Sequence, residues 1–136
     1  MFLTKECDYG LRIIRALSSG ERATAEEICA AETVPLQFAY KILRKLERAG
    51  WLMSSRGKDG GYWLVKSLDT MSIYDVVSAI DEKLFINECL RGDRPCVRNV
   101  ANRPCVMHKE LERVQETLIK ELKRNKLSKI LVIDEN

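Results

Sequence analysis

Apolar residues recur every three or four positions along much of the chain, which is the period of one helical face. The first such segment follows Thr4, a suitable N-cap, and predicts a helix over residues 5–18. The motif Thr24-Ala-Glu-Glu27 is a capping box, because the threonine hydroxyl and the glutamate carboxylate can each accept a hydrogen bond from the other's backbone N–H. A short second helix is therefore predicted over residues 25–31.

The next segment combines a third helix with two short apolar and aromatic runs. The helix begins at Pro35, where the missing N–H costs nothing, and ends at Gly50. Residues 51–55 and 62–66 are predicted strands of a hairpin, separated by a basic, glycine-rich tip at 56–61. Two helices joined by a tight turn and followed by a hairpin are typical of a winged helix-turn-helix.

Two further helices follow the hairpin. Ser72 can cap a fourth helix over residues 73–80, and a longer helix is predicted from residue 107 to about 126. The long helix carries a seam of apolar residues at helical spacing: Met107, Leu111, Val114, Leu118 and Leu122. Such a seam needs a second helix, which could belong to the same monomer or to a second copy. We expect the second copy, and so a homodimer that pairs two identical units. The predicted fold is mostly α, with a small β-hairpin wing and a long C-terminal dimerisation helix.

Basic residues are concentrated in one third of the chain. The net charge is +3, but residues 34–66 contain seven basic and two acidic residues, or +5. The helix charges alone favour a solvated helix face. Together with a basic hairpin tip they favour binding to double-stranded DNA, with the helix in the major groove and the tip at the backbone or minor groove. The candidate DNA-binding residues are Gln37, Tyr40, Lys41, Arg44, Arg56 and Lys58.

A turn-rich stretch between the fourth and fifth helices contains three of the five cysteines and the single histidine. These residues are Cys89, Cys96, Cys105 and His108. Thiolates and imidazole suit zinc or an iron–sulfur centre, whereas magnesium and calcium prefer oxygen ligands. A metal-free thiol switch is a third possibility, because several arginines in the stretch favour thiolates. Cys29, which lies outside the stretch beside an apolar residue, is expected in the core.

Length and composition limit the other classes of function. A chain of 136 residues is one domain by length, and no apolar run approaches the roughly 20 residues of a membrane span. The first residues lack the basic flank and apolar centre of a signal peptide, so we expect a cytoplasmic protein. No nucleophile elbow, phosphate loop or paired acids indicate an enzyme, which leaves a thiol redox enzyme as a remote alternative.

Three segments together resemble the Rrf-two family of bacterial winged-helix regulators. They are Leu3 to Arg12, Ala49 to Leu64 with its Arg-Gly and Gly-Gly-Tyr motifs, and the three-cysteine loop before a long helix. The resemblance covers nearly the whole chain. It implies a homodimeric repressor or activator that binds an operator under the control of an iron–sulfur cluster, which senses redox state, nitric oxide or cluster supply.

The resemblance also implies roles for individual residues. Cys89, Cys96 and Cys105 match the three cluster thiolates of the family. His108 matches the fourth ligand of the IscR-like members, which hold a 2Fe-2S cluster. Asp8 matches the aspartate that NsrR-like members extend from the partner subunit to a 4Fe-4S cluster. Arg56 matches the wing arginine that enters the minor groove.

These interpretations divide the chain into four parts. They are a winged-helix DNA-binding domain at 1–80, a cysteine-containing cluster-binding loop at 81–108, a dimerisation helix at 109–128 and a tail at 129–136 without assigned structure.

Overall fold

The computed structural model of the protein describes residues 3–81 and 84–132 and contains the helices and the hairpin in the predicted order. In chain order the elements are α1 Lys5–Ala16, α2 Ala25–Glu32, α3 Leu36–Arg48, β1 Leu52–Ser55, β2 Gly61–Leu64, α4 Ile73–Ile80, α5 Val106–Arg124 and α6 Leu127–Leu131. The strands β1 and β2 form an antiparallel hairpin in which Leu52 is opposite Leu64. The predicted fold class, mostly α with a small β-hairpin wing, is confirmed.

Side chains at the helix N-termini account for where the helices begin. Thr4 accepts a hydrogen bond from the backbone N–H of Cys7, and Thr24 forms the predicted capping box with Glu27. Ser72 forms a second capping box with Asp75 at the start of α4. These bonds satisfy N–H groups that have no partner within the helix. The first helix is shorter than predicted, since it ends at Ala16 rather than at residue 18.

The core lies where α1 packs against α3 and α4. Ile13 and Ile14 of α1 are buried against the apolar faces of the other helices. At Gly10 the helices approach so closely that an added Cβ would lie 1.8 Å from Cδ1 of Ile80 and 3.7 Å from Cγ2 of Ile42. A glycine at this position therefore permits the close packing of α1 on both neighbours.

The C-terminal segment folds back onto the winged domain. No residue of α5 is buried, although this helix has 19 residues. The short helix α6, which the sequence did not predict, inserts Leu127 into the core, and the Leu127 N–H donates to the carbonyl of Met71 at 2.7 Å. Residues 133–136 of the predicted tail lie outside the described residues.

Helices long and apolar enough to cross a bilayer are absent from residues 3–81 and 84–132.

The contact at Gly10 generates a stability prediction. Gly10→Ala is expected to lower the free energy of unfolding by about 1–3 kcal/mol, because the new methyl group overpacks the core against Ile80. Urea denaturation measures the change. Ile80→Val removes the clashing Cδ1 atom, so the double variant should be more stable than Gly10→Ala alone. A double variant less stable than Gly10→Ala would contradict this contact.

Candidate DNA interface and cysteine loop

The third helix presents the predicted polar face to solvent. Gln37, Tyr40, Lys41 and Arg44 are all exposed, whereas Ala39, Ile42, Leu43 and Leu46 on the opposite face are buried. The two faces follow from the helical period of the sequence. The structure therefore places four of the six predicted DNA-binding residues on one accessible helix.

Two residues of this face already have carboxylate partners. The Tyr40 hydroxyl donates to Glu26 at 3.2 Å, and that carboxylate is the main cause of a raised Tyr40 pKa. Lys41 pairs with Glu6 of α1 at 2.6 Å. The carboxylates of Glu26 and Glu6 therefore lie beside two of the predicted DNA-binding residues.

Lys45 extends the link between α1 and α3. Its Nζ donates to Glu6 at 3.0 Å and to the carbonyl of Ile80 at 2.8 Å. Hydrogen bonds from Lys41 and Lys45 lower the pKa of Glu6, so the carboxylate is held in its charged form. The role of Glu6 was not predicted, because nothing in its local pattern indicates a partner 35 residues away.

The wing places Arg56 and Lys58 at its exposed tip. The hairpin ends at the pair Ser55 and Gly61, and residues 56–60 form the turn beyond it. The six predicted DNA-binding residues therefore lie on two adjacent elements, α3 and the wing that follows it. An α-helix fits the major groove, and a basic tip suits the neighbouring phosphates or minor groove.

The cysteine loop is irregular and ends at the start of α5. Cys89 lies in a 3-10 turn over Glu88–Leu90, and Cys105 is the N-cap residue of α5. The Cys105 N–H donates to Oδ1 of Asn99 at 3.0 Å, and the Cys89 sulfur accepts from Asn87 at 3.3 Å. Cys89, Cys96 and Cys105 are free thiols, and each is partly exposed.

His108 is in the first turn of α5 and has an unusual environment. Its Nδ1 atom is buried and has no hydrogen-bond partner among the described residues. A buried polar nitrogen without a partner costs free energy unless another group binds it. The donor set, three free thiols and an unpartnered imidazole nitrogen, fits a zinc ion or an iron–sulfur cluster by its chemistry.

The single chain does not bring these donors together. Among residues 3–81 and 84–132, no three His, Cys, Asp or Glu side chains are grouped closely enough to hold a metal ion.

Cys29 on α2 lies outside the loop and does not replace one of its thiols as a ligand. It is only partly buried, whereas the sequence predicted a core residue. Its pKa is raised, mainly by burial and also by the nearby Glu26 carboxylate. A high pKa makes a thiol a weak metal ligand and nucleophile.

Asp8 lies on the accessible side of α1, away from the cysteine loop in sequence. Its carboxylate pairs with Arg12 at 3.2 Å, and 53% of the side chain is exposed. Arg12 also donates to the backbone carbonyl of Glu32, at the C-terminal end of α2, at 3.1 Å. No contact of Arg12 was predicted, although its position four residues after Asp8 is the spacing of a helical ion pair.

Asp8 also borders an apolar groove of about 320 Å³. The groove lies between α1, the start of α4 and the C-terminal helix α6, and its apolar walls are formed by Leu11, Ile14, Ile73, Leu127, Ile130 and Leu131. The exposed apolar residues Val106 and Met107 lie at the start of α5, with 79% and 68% exposure. Apolar surface of this kind is typical of a protein–protein interface.

Comparison with known proteins agrees with this architecture. The model of the family Rrf2, described as an iron-dependent transcriptional regulator, matches residues 3–132. A protein of Aquifex aeolicus named as an HTH-type transcriptional regulator is 25% identical over 120 residues, which cover 88% of this chain and 83% of that protein. Protein aau3 of Rhizobium meliloti is 32% identical over 99 residues, which cover 71% of this chain and 64% of that protein.

Solved structures share the fold at low sequence identity. IscR of T. potens has a TM-score of 0.73 and 17% identity, and the match covers 97% of this chain and 87% of that one. CymR of B. subtilis, named as a global cysteine regulator, has a TM-score of 0.73 and 19% identity, with 96% of both chains covered. A shared fold does not by itself identify the signal that a regulator senses.

The ion pairs of Glu6 generate a pH-dependent prediction. Since the folded pKa of Glu6 is lowered, its contribution to stability is present above the unfolded pKa of about 4.3 and is lost as the pH falls through the folded pKa. Glu6→Gln should therefore lower the free energy of unfolding by about 0.5–1 kcal/mol at pH 7 and have little effect at pH 3. Urea denaturation at both pH values tests this.

A matched control is Glu121→Gln. Glu121 forms an exposed pair with Arg124, with side-chain exposures of 60% and 71%, so its loss should leave stability almost unchanged. Equal effects of the two substitutions at pH 7 would contradict the role assigned to Glu6.

Proposed function

The chain belongs to the Rrf2 family of transcriptional regulators, and from this premise we propose that it is a homodimeric DNA-binding regulator controlled by an iron–sulfur cluster. The observation that carries the cluster proposal is His108, whose buried Nδ1 has no hydrogen-bond partner in the part of the chain that the structure describes. Three free cysteines occur in the loop just before it. Cys89, Cys96 and Cys105 would hold the cluster, with His108 or Asp8 of a second copy as the fourth ligand. The 2Fe-2S and 4Fe-4S forms both fit this set of donors.

When bound, an iron–sulfur cluster supplies a centre whose redox state and integrity respond to oxidants, nitric oxide or iron supply. Cys89, Cys96 and Cys105 would supply the thiolates. The loop also contains several arginines. One of these arginines, Arg91, forms ion pairs with the carboxylates of Glu88 at 3.3 Å and Asp93 at 3.0 Å. Holding several loop residues in fixed positions reduces the conformational freedom of residues 89–105, and this ordering is the proposed first effect of the ligand.

The proposed dimer follows from the exposed surface of α5. The seam of α5 has no fully buried residue, and Leu118 within it is 39% exposed. A second copy of α5 would cover this seam in the manner of a two-stranded coil. Val106 and Met107 would then be available to the apolar groove beside Asp8 on the second copy. The dimer would bring the loop of one chain toward α1 of the other.

Contacts of α1 provide a route from this interface to the DNA-binding face. Asp8 holds Arg12, and Arg12 holds the end of α2. Two residues earlier, Glu6 holds Lys41 and Lys45 of α3. If Asp8 takes a different partner, Arg12 loses its carboxylate, and the end of α2 that Arg12 contacts can shift relative to α1. A small shift changes the separation of two recognition helices that must match two half-sites.

A second candidate function is regulation by zinc or by thiol oxidation without an iron–sulfur cluster. Thiol oxidation is favoured by the free, partly exposed state of the three loop thiols. Three cysteines and a histidine also form a closed zinc site. The DNA-binding part of the proposal is the same in both cases.

Purification without oxygen tests the cluster. The expected protein is coloured and contains iron and acid-labile sulfide, and Cys96→Ser should lose the colour and change the affinity for an operator duplex selected in vitro with the wild-type protein. Cys29→Ser is the matched control and should keep both properties, because Cys29 lies on α2, outside the loop. Colourless protein with one zinc per chain would support the second candidate. Equal DNA affinity of wild type and Cys96→Ser would contradict control by the loop.

Two substitutions identify the fourth ligand. Asp8→Ala and His108→Ala should each leave the dimer folded, and the variant that lacks the true ligand should show an altered visible spectrum and faster loss of iron. Sedimentation and circular dichroism check the folded dimer, while absorbance measures the cluster. An unchanged spectrum and unchanged DNA affinity in Asp8→Ala would remove Asp8 from the mechanism.

A further inference from the structure

Arg22, in the turn between α1 and α2, makes three contacts with the wing. Its guanidinium carbon lies 4.2 Å from the centre of the Trp63 ring on β2. Its Nη1 donates to the carbonyl of Asp59 in the wing tip at 3.1 Å and to the hydroxyl of Ser55 at the end of β1 at 3.4 Å. One side chain therefore contacts both strands of the hairpin and the turn that joins them.

The backbone beside Arg22 also contacts the wing. The Ala23 N–H donates to the carbonyl of Tyr62 at 3.0 Å, and the Tyr62 N–H donates to the carbonyl of Ala23 at 2.8 Å. At Gly61, φ is +140° and an added Cβ would lie 2.8 Å from the Ala23 carbonyl oxygen. The glycine thus allows the turn to lie directly against β2 as a third, one-residue strand.

The outer part of the wing has little other support. Met53, Ser54 and Ser55 of β1 are exposed, and each strand has only four residues. A two-stranded hairpin of this size is marginally stable unless it packs on another element. The Ala23 bridge supports the hairpin at Tyr62, but the tip beyond it contacts the winged domain through Arg22.

We propose that Arg22 is a positioning residue that holds the wing tip, and with it Arg56 and Lys58, in the orientation that reaches DNA. This inference rests on the proposed DNA-binding function. The planar guanidinium suits the role, since it stacks on an aromatic ring with its face and donates hydrogen bonds from its edge. The competing explanation is a direct contact between Arg22 and a DNA phosphate.

Paired variants distinguish positioning from direct contact. Trp63→Leu removes the ring beneath Arg22 without changing the charge, and Trp63→Phe keeps an aromatic face. The probe is a duplex of about 30 base pairs selected in vitro with the wild-type protein, long enough for two half-sites. Binding affinity and its salt dependence are measured for both Trp63 variants, Arg22→Ala, Arg56→Ala and the double variant Arg22→Ala/Arg56→Ala. Hydrogen exchange of the amides at 57–61 reports the order of the tip.

If Arg22 positions the tip, Arg22→Ala and Trp63→Leu should each weaken binding by about two- to fivefold, the effect of an exposed cation–π contact. Both should also accelerate exchange at the tip, while Trp63→Phe should largely preserve affinity and protection. In the Arg56→Ala background, Arg22→Ala should weaken binding less than it does alone, because one of the two residues that Arg22 positions, Arg56, is already absent. Thermal midpoints close to wild type show that the effects are not caused by unfolding.

Three results would overturn the inference. Unchanged exchange at the tip in Arg22→Ala would show that Arg22 does not hold it. Trp63→Leu could bind with wild-type affinity while Arg22→Ala lowers the slope of log affinity against log salt concentration by about one. That pair of results would show that Arg22 contacts a phosphate directly. If Arg56→Ala binds weakly while Arg22→Ala binds like the wild type, the positioning role of Arg22 is contradicted and the DNA contact of the wing is not. If Arg56→Ala binds like the wild type, the proposed contact between the wing and DNA is contradicted.

Discussion

The close packing of α1 on α3 and α4 is the constraint on which the rest of the structure depends. Gly10 lets Ile80 fill the space that a side chain would need, and the apolar face of α1 is buried along its whole length. The exposed faces of α1 are therefore held at fixed positions relative to the rest of the winged domain. Each functional candidate on α1 owes its neighbours to this packing.

Two charged contacts extend from that helix in different directions. Glu6 holds Lys41 of α3, while Asp8 holds Arg12, which contacts the end of α2. Individually such partly exposed pairs contribute little to stability. Their importance is positional, because they connect the helix that borders the proposed dimer groove to both helices of the helix-turn-helix. In the proposed dimer, a change at the interface would therefore reach the proposed DNA-binding face through one rigid element.

The wing and the cysteine loop are held in place by different kinds of contact. The wing is tied to its own domain by a backbone bridge and by Arg22. The loop at 89–105 has a few hydrogen bonds, such as the one from the Cys105 N–H to Asn99, and its thiols remain free. A segment with few packing contacts has conformational freedom that a ligand can remove. This contrast makes the loop the better place for a sensor and the wing the better place for a fixed DNA contact.

The sequence by itself determined the elements other than α6 and the composition of the candidate site. Threonine and serine caps, the helical period and the glycine-rich tip are local features, and each acts within a few residues of the chain. The grouping of Cys89, Cys96, Cys105 and His108 was visible for the same reason. Only the tertiary structure decided which groups Glu6, Arg12 and Arg22 contact. It also decided that α6 returns to the core, and that the buried Nδ1 of His108 has no partner among the described residues. These depend on contacts between residues far apart in the chain, which one sequence's local pattern does not encode.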